Sequence, residues 1–126
     1  MIYAAPGQTN AKINFKVKYD NFIGGKWVAP VKGQYFGVVT PLSGKTYTEA
    51  ARSTAEDIEL ALDAAHAVAD QWARTSPAER ANALLKIADR LEQNLEVLAY
   101  AETVDNGKPI RETLNADIPL AVDHFR

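Results

Sequence analysis

SPAERANALLKIADRLEQNLEVLAYAETVDNGKP, residues 76–109, is the most strongly patterned stretch of the chain, and the segments on either side read as material packed against it. Ser76 can accept from the free N–H groups of a first helical turn, Pro77 stands where a missing N–H costs nothing, and Glu79 can reach back to close a capping box. Ala81, Leu84, Leu85, Ala88, Leu91, Leu95 and Leu98 recur at spacings of three and four, while Arg80, Lys86, Asp89, Arg90, Glu92, Gln93 and Glu96 take the opposite face. An amphipathic helix of this kind needs a partner for its stripe. Asn94 can cap a second helical piece, so one long helix and two shorter ones are both open. Gly107 can adopt the left-handed conformation past the last turn, and Pro109 stops continuation. The stretch carries no catalytic constellation.

Upstream, Thr54 predicts the cap of another helix, with Asp57 adding negative charge near the positive end of its dipole. Ile58, Ala61, Leu62, Ala65, Ala69 and Trp72 lie at helical spacing. The short link through Arg74 and Thr75 predicts an antiparallel helix pair, with the first helix packed on the stripe of the second. Before them, YDNFIGGKWVAP (19–30) reads as a β-hairpin about Gly24 and Gly25, with Phe22 and Trp27 forming an apolar face that must be covered. Tyr35 to Val39 and Lys45 to Ala51, joined by the turn residues Thr40 to Gly44, predict a second hairpin. The arm Met1 to Lys18 alternates Ile13, Phe15 and Val17 with polar residues, which predicts one docked strand. After Pro109, Leu114, Ile118, Ala121 and Phe125 share a helical face that Pro119 should interrupt and restart. The fold class is therefore α+β: an arm and β-hairpins over residues 1–52, then a helical part over 53–126. The pattern stops in mid-helix at Arg126, which suggests part of a longer chain.

The totals bound the rest. A chain of 126 residues with 47% apolar and 24% charged residues is an ordinary globular domain, without an apolar run of membrane-spanning length. The opening residues lack the apolar core of a signal peptide, so a cytoplasmic location is expected. There is no cysteine, which removes disulfides, thiolate metal sites and a cysteine nucleophile. Residues 1–52 hold seven Lys and Arg against Asp20 and Glu49, a net of +5, leaving −7 for the remainder of a chain whose total is −2. The basic residues are scattered singly, so attraction between the halves explains them better than nucleic acid does.

Isolated candidates for chemistry are few. His66 and His124 sit on predicted helices without a second ligand at metal spacing, which reads as surface. Gly24-Gly25 lies between strands and is no phosphate cradle. Asp57, Glu59, Glu92 and Glu96 fall on polar helical faces where carboxylates are normally solvated. Asp105 differs: at a helix C-terminus a carboxylate is unfavourable unless a cation offsets it, either Lys108 or a bound monovalent ion.

In its order of parts the chain resembles the amino-terminal quarter of NAD(P)-dependent aldehyde dehydrogenases. IGGKWV in a hairpin, the PLSG turn, the T-A-E-D helix start with its stripe ending in Trp72, SPAER and ETVDNGKP carry the resemblance. FKVKYDNFIGG and VAPVKGQYF resemble the bacterial acetaldehyde dehydrogenase branch. The resemblance implies a Rossmann-like NAD or NADP domain, a catalytic domain with a nucleophilic cysteine and a glutamate base, a short aliphatic aldehyde as substrate, and homo-oligomers. On that reading this chain is scaffold, with no catalytic and no cofactor-binding residue of its own. Its partners are the rest of the polypeptide and like subunits, with neither nucleic acid nor membrane among them. The resemblance also implies a monovalent cation held by the carbonyls of Val38 or Val39 and by Asp105, with Thr40 standing where many members have Asn. The alternative is a stand-alone interaction or oligomerisation module without enzymatic activity.

Overall fold

The computed structural model of the chain describes residues 3–126. They form two compact units, one of residues 16–38 and 46–75, the other of 3–15, 39–45 and 76–126.

Strand β1 (Lys18–Tyr19) runs parallel to β5 (Lys45–Ala51), whose other neighbour is β4 (Tyr35–Thr40), giving the order β1-β5-β4. The pairing of β4 with β5 is the expected second hairpin. The arm departs from expectation: burial alternates from Ala11 to Lys16, yet no ladder forms until Lys18. An extended chain becomes a strand only where a neighbour offers N–H and C=O groups. Here the contact with β5 starts late, when Thr48 Oγ1 donates to the Lys16 carbonyl at 2.7 Å and the Glu49 N–H to that of Val17 at 3.0 Å.

Strands β2 (Asn21–Ile23) and β3 (Lys26–Val28) form the expected hairpin, antiparallel with Phe22 opposite Trp27. Gly24 and Gly25 both have positive φ, 58° and 78°, the turn whose twist matches that of paired strands. The Phe22 and Trp27 rings meet edge to face at 5.2 Å, and the Lys16 ammonium lies 5.2 Å from the Trp27 ring centre. Both rings nevertheless stay more than half exposed. Helix α1 (Ala55–Ala73) packs on β2, and its Ile58 and Trp72 are also more than half exposed.

In the second unit, the expected capping box opens helix α2 (Pro77–Gln93): the Ser76 N–H donates to Glu79 Oε2 at 2.7 Å and the Glu79 N–H to Ser76 Oγ at 3.2 Å. The Ser76 N–H is the main reason the Glu79 carboxyl lies below the usual glutamate range. The long stretch does break at Asn94, which turns out to serve the end of α2: its side-chain amide donates to the Arg90 carbonyl at 2.8 Å. Helix α3 (Leu95–Asn106) follows, then α4 (Ile110–Glu112), a five-residue π turn (Thr113–Asp117) and α5 (Ile118–Phe125). The α-helical ladder restarts at Pro119 as expected, with the proline in the first turn of α5. Pro119 carries no N–H to donate, and the preceding turn widens so that the Ile118 N–H reaches back to the Thr113 carbonyl.

Within this unit the partner of α2 is α5, and Ala88, Ala99, Tyr100, Val104 and Val122 form the apolar core. Only the middle of the α2 stripe is covered; Leu84 and Leu85 stay exposed. Arg126 ties the end of α5 back to Glu92 and Asp89 of α2. Tyr100 donates to the Ala4 carbonyl at 2.6 Å, while Tyr3 and Lys12 both reach Glu96, at 2.9 and 3.0 Å, so the arm is fastened to α3. Lys12, then Tyr3, hold the Glu96 carboxyl below the usual range. Among the described residues no helix is long and apolar enough to cross a membrane.

Candidate functional site

Two places gather polar groups. The first lies at the end of α3. Gly107 has φ 79°, a conformation that only glycine adopts without strain, and its N–H donates to the Thr103 carbonyl at 2.9 Å. Asn106 Oδ1 accepts from the Lys108 N–H at 2.8 Å. The end of β4 meets this terminus: Thr40 Oγ1 donates to the Val104 carbonyl across 2.5 Å, and Pro41 stands directly over Gly107. Thr40 is itself buried, with its own carbonyl accepting from the Gly44 N–H at 2.9 Å, so one residue ties both the turn and the helix end.

This places the cation residues implied by the resemblance as follows. Asp105 is exposed at the end of α3, one residue past the carbonyl that Thr40 holds, and Val39 directly precedes Thr40; Val38 belongs to the other unit. Their oxygens are hard donors, a carboxylate and backbone carbonyls, which suit an alkali cation and not a soft metal. No group of three or more His, Cys, Asp or Glu is close enough to hold a metal ion among the described residues. Lys108, the expected counter-charge of Asp105, has its ammonium 2.5 Å from Asp117 Oδ2. That oxygen is enclosed and lacks hydrogen-bond geometry to any neighbour, so the contact is an ion pair. Asp117 raises the pKa of Lys108, keeping it charged.

The second place is Asp57, where the expectation of a solvated carboxylate fails. Asp57 is 3% exposed. Its Oδ2 accepts the Thr54 N–H at 2.8 Å and the Thr54 hydroxyl at 3.2 Å, and its Oδ1 the Val31 N–H at 2.8 Å and the Asn21 amide at 3.4 Å. The Thr54 N–H, then that of Val31, push the Asp57 carboxyl below the usual range. A shallow cleft of about 200 Å³ adjoins it, walled by Phe22, Ile23 and Ile58. With four donors on two oxygens, Asp57 has no spare acceptor for a ligand there. The local capping motif was legible; the signal for burial, an N–H arriving from Val31, was not. His66 and His124 are exposed on α1 and α5, as expected.

These elements are those of an α+β scaffold of helix caps, hairpins and a strand-to-helix junction. Residues 27–126 match the family model described as "Aldehyde dehydrogenase family", and the chain belongs to that family. It is 68% identical over 124 residues to an aldehyde dehydrogenase of Deinococcus radiodurans, covering 98% of this chain and 24% of the relative. It is 67% identical over 126 residues to an acetaldehyde dehydrogenase of Pseudomonas aeruginosa, covering 100% and 25%, and 64% identical over the same length to a long-chain-aldehyde dehydrogenase of an Acinetobacter species. Among solved structures it resembles an indole-3-acetaldehyde dehydrogenase of P. syringae in complex with NAD+ and IAA. The TM-score is 0.84 at 35% identity, over 89% of this chain and 23% of that one. An NAD+ complex of an aldehyde dehydrogenase from Bacillus cereus gives a TM-score of 0.83 at 33% identity, over 86% and 23%. The chain spans about a quarter of the length of the curated relatives it matches.

Proposed function

We propose that this chain is the amino-terminal scaffold of an NAD(P)-dependent dehydrogenase that oxidises a short aliphatic aldehyde to the carboxylic acid in the cytoplasm, as a homo-oligomer. The observation that carries the reading is the 67% identity to an acetaldehyde dehydrogenase over all 126 residues. Nicotinamide would supply the hydride acceptor. The residues of this chain do no chemistry on the aldehyde. There is no cysteine to act as the thiolate that members of the family use, and no other side chain here substitutes for one. Their work is positional: the caps at Thr54 and Ser76 and the junction at Thr40 and Gly107 hold helices and strands in place, while Trp27, Trp72 and Leu84 present apolar surface to the other parts of such an enzyme. Mixing the purified chain with NAD and acetaldehyde should give no reduction of the cofactor above background. Measurable NADH formation that scales with chain concentration would overturn the scaffold assignment.

The junction also supports a monovalent cation site formed by Asp105 with the carbonyl of Val39. Sodium should raise the melting temperature of a full-length form that carries this segment, and Asp105→Ala should abolish the rise. An equal response in both proteins removes the site.

A further inference from the structure

The sequence contains one Asn-Gly dipeptide, Asn106-Gly107, and it falls at the helix end described above. Asparagine followed by glycine is the pair most open to intramolecular attack on the side-chain amide, because glycine places no Cβ in the way. Asn106 is exposed. Its Nδ2, the group that must leave, donates to Glu102 Oε1 at 3.4 Å, and two further hydrogen bonds act on its chemistry in opposite directions. The Lys108 N–H on Asn106 Oδ1, at 2.8 Å, polarises the amide carbonyl and would stabilise negative charge developing on that oxygen. The Gly107 N–H, the group that must lose its proton to attack, is engaged with the Thr103 carbonyl at 2.9 Å.

We propose that Asn106 is a spontaneous deamidation site, poised by Lys108 and held closed by the cap of α3. In the reaction the Gly107 nitrogen gives up its proton and bonds to Asn106 Cγ. The bond from Cγ to Nδ2 breaks, and the nitrogen leaves as ammonia with the proton it gains. Water then opens the cyclic imide at either carbonyl, yielding aspartate or isoaspartate. No oxidant, metal or enzyme is needed. The product carries a new negative charge beside Asp105 at the negative end of the helix dipole, and the isoaspartate form lengthens the backbone beneath Pro41. The gate is local opening of the last turn, which the Thr40 bond to Val104 opposes.

The full chain, incubated at mildly alkaline pH and digested for mass spectrometry, should convert at Asn106 ahead of every other asparagine. Conversion should be slower by about tenfold or more than in the same chain unfolded in urea, because the closed cap withholds the nucleophile. Thr40→Val should bring the folded rate toward the unfolded one, and Thr40→Ser should restore it. If Thr40→Val does not fold, Pro41→Ala, which strips the ring from above Gly107, takes its place. Equal folded and unfolded rates, earlier conversion at another asparagine, no conversion in the folded chain, or a rate unmoved by the loosening variant would each overturn the proposal.

Discussion

Gly107→Ala is expected to cause the largest loss of stability of any single methyl addition in the chain. A Cβ at Gly107 would lie 2.8 Å from Pro41 Cγ, closer than real Cβ atoms approach, and 3.3 Å from Pro41 Cβ, a tight contact. The backbone itself resists the change, since φ is 79° and a left-handed residue other than glycine costs about 1–2 kcal/mol. Relief by movement of Pro41 is blocked, because the preceding Thr40 is buried and bonded to the Val104 carbonyl. Overpacking of such a contact adds about 1–3 kcal/mol, for a total of about 2–5 kcal/mol read from urea unfolding. Gly44→Ala is the control: φ is 68°, but nothing lies within 4 Å, so only the backbone term of about 1–2 kcal/mol should appear. Equal losses in the two variants would mean that the strand end gives way freely, and the junction would lose its standing as a fixed point.

The second large effect is expected at Asp57. Asparagine in its place keeps one acceptor oxygen and turns an NH2 group toward donors that need an acceptor, so either the Thr54 pair or the Val31 N–H and Asn21 amide lose their partner. Asp57→Asn should therefore lower the urea midpoint at neutral pH. The pH dependence follows from the direction of the shift. The folded-state pKa of Asp57 is depressed, mainly by the Thr54 N–H, so its contribution is complete above the unfolded value of about 3.9 and is lost as pH falls through the folded value. Glu79, Glu92 and Glu96 are depressed as well, so both proteins weaken in acid. The gap between wild type and Asp57→Asn is the diagnostic quantity: wide at pH 7 and closing below the Asp57 transition. A gap that stays constant with pH would show that the carboxylate charge contributes nothing there.

What was legible beforehand was whatever closes over a few residues. The Ser76 and Glu79 box, the glycine turn at residues 24–25, the stop at Gly107 and the second hairpin all stand as read, because each is completed by atoms at most four residues apart or by an adjacent strand. The order of those local signals along the chain was also enough to indicate the family, which the match over residues 27–126 bears out. The expectations that failed share a physical cause. Ile13, Phe15 and Val17 alternate as a strand does, but a ladder needs an edge, and the contact with β5 begins only at Lys16. Asp57 sits on the polar side of its helix by pattern, yet an N–H from 26 residues upstream makes it a buried acceptor.

The amino-acid sequence by itself determined the helix starts at Thr54 and Ser76, the glycine turn and the stop at Gly107, and which family the chain belongs to, since caps, turns and periodic stripes are local chemistry. Tertiary structure alone decided that α2 leans on α5, that Lys108 faces Asp117, that Asp57 is enclosed, and that Thr40 and Pro41 close over the end of α3. Each of these depends on which distant segments arrive together, and burial and pairing are properties of that meeting, carried by neither segment alone.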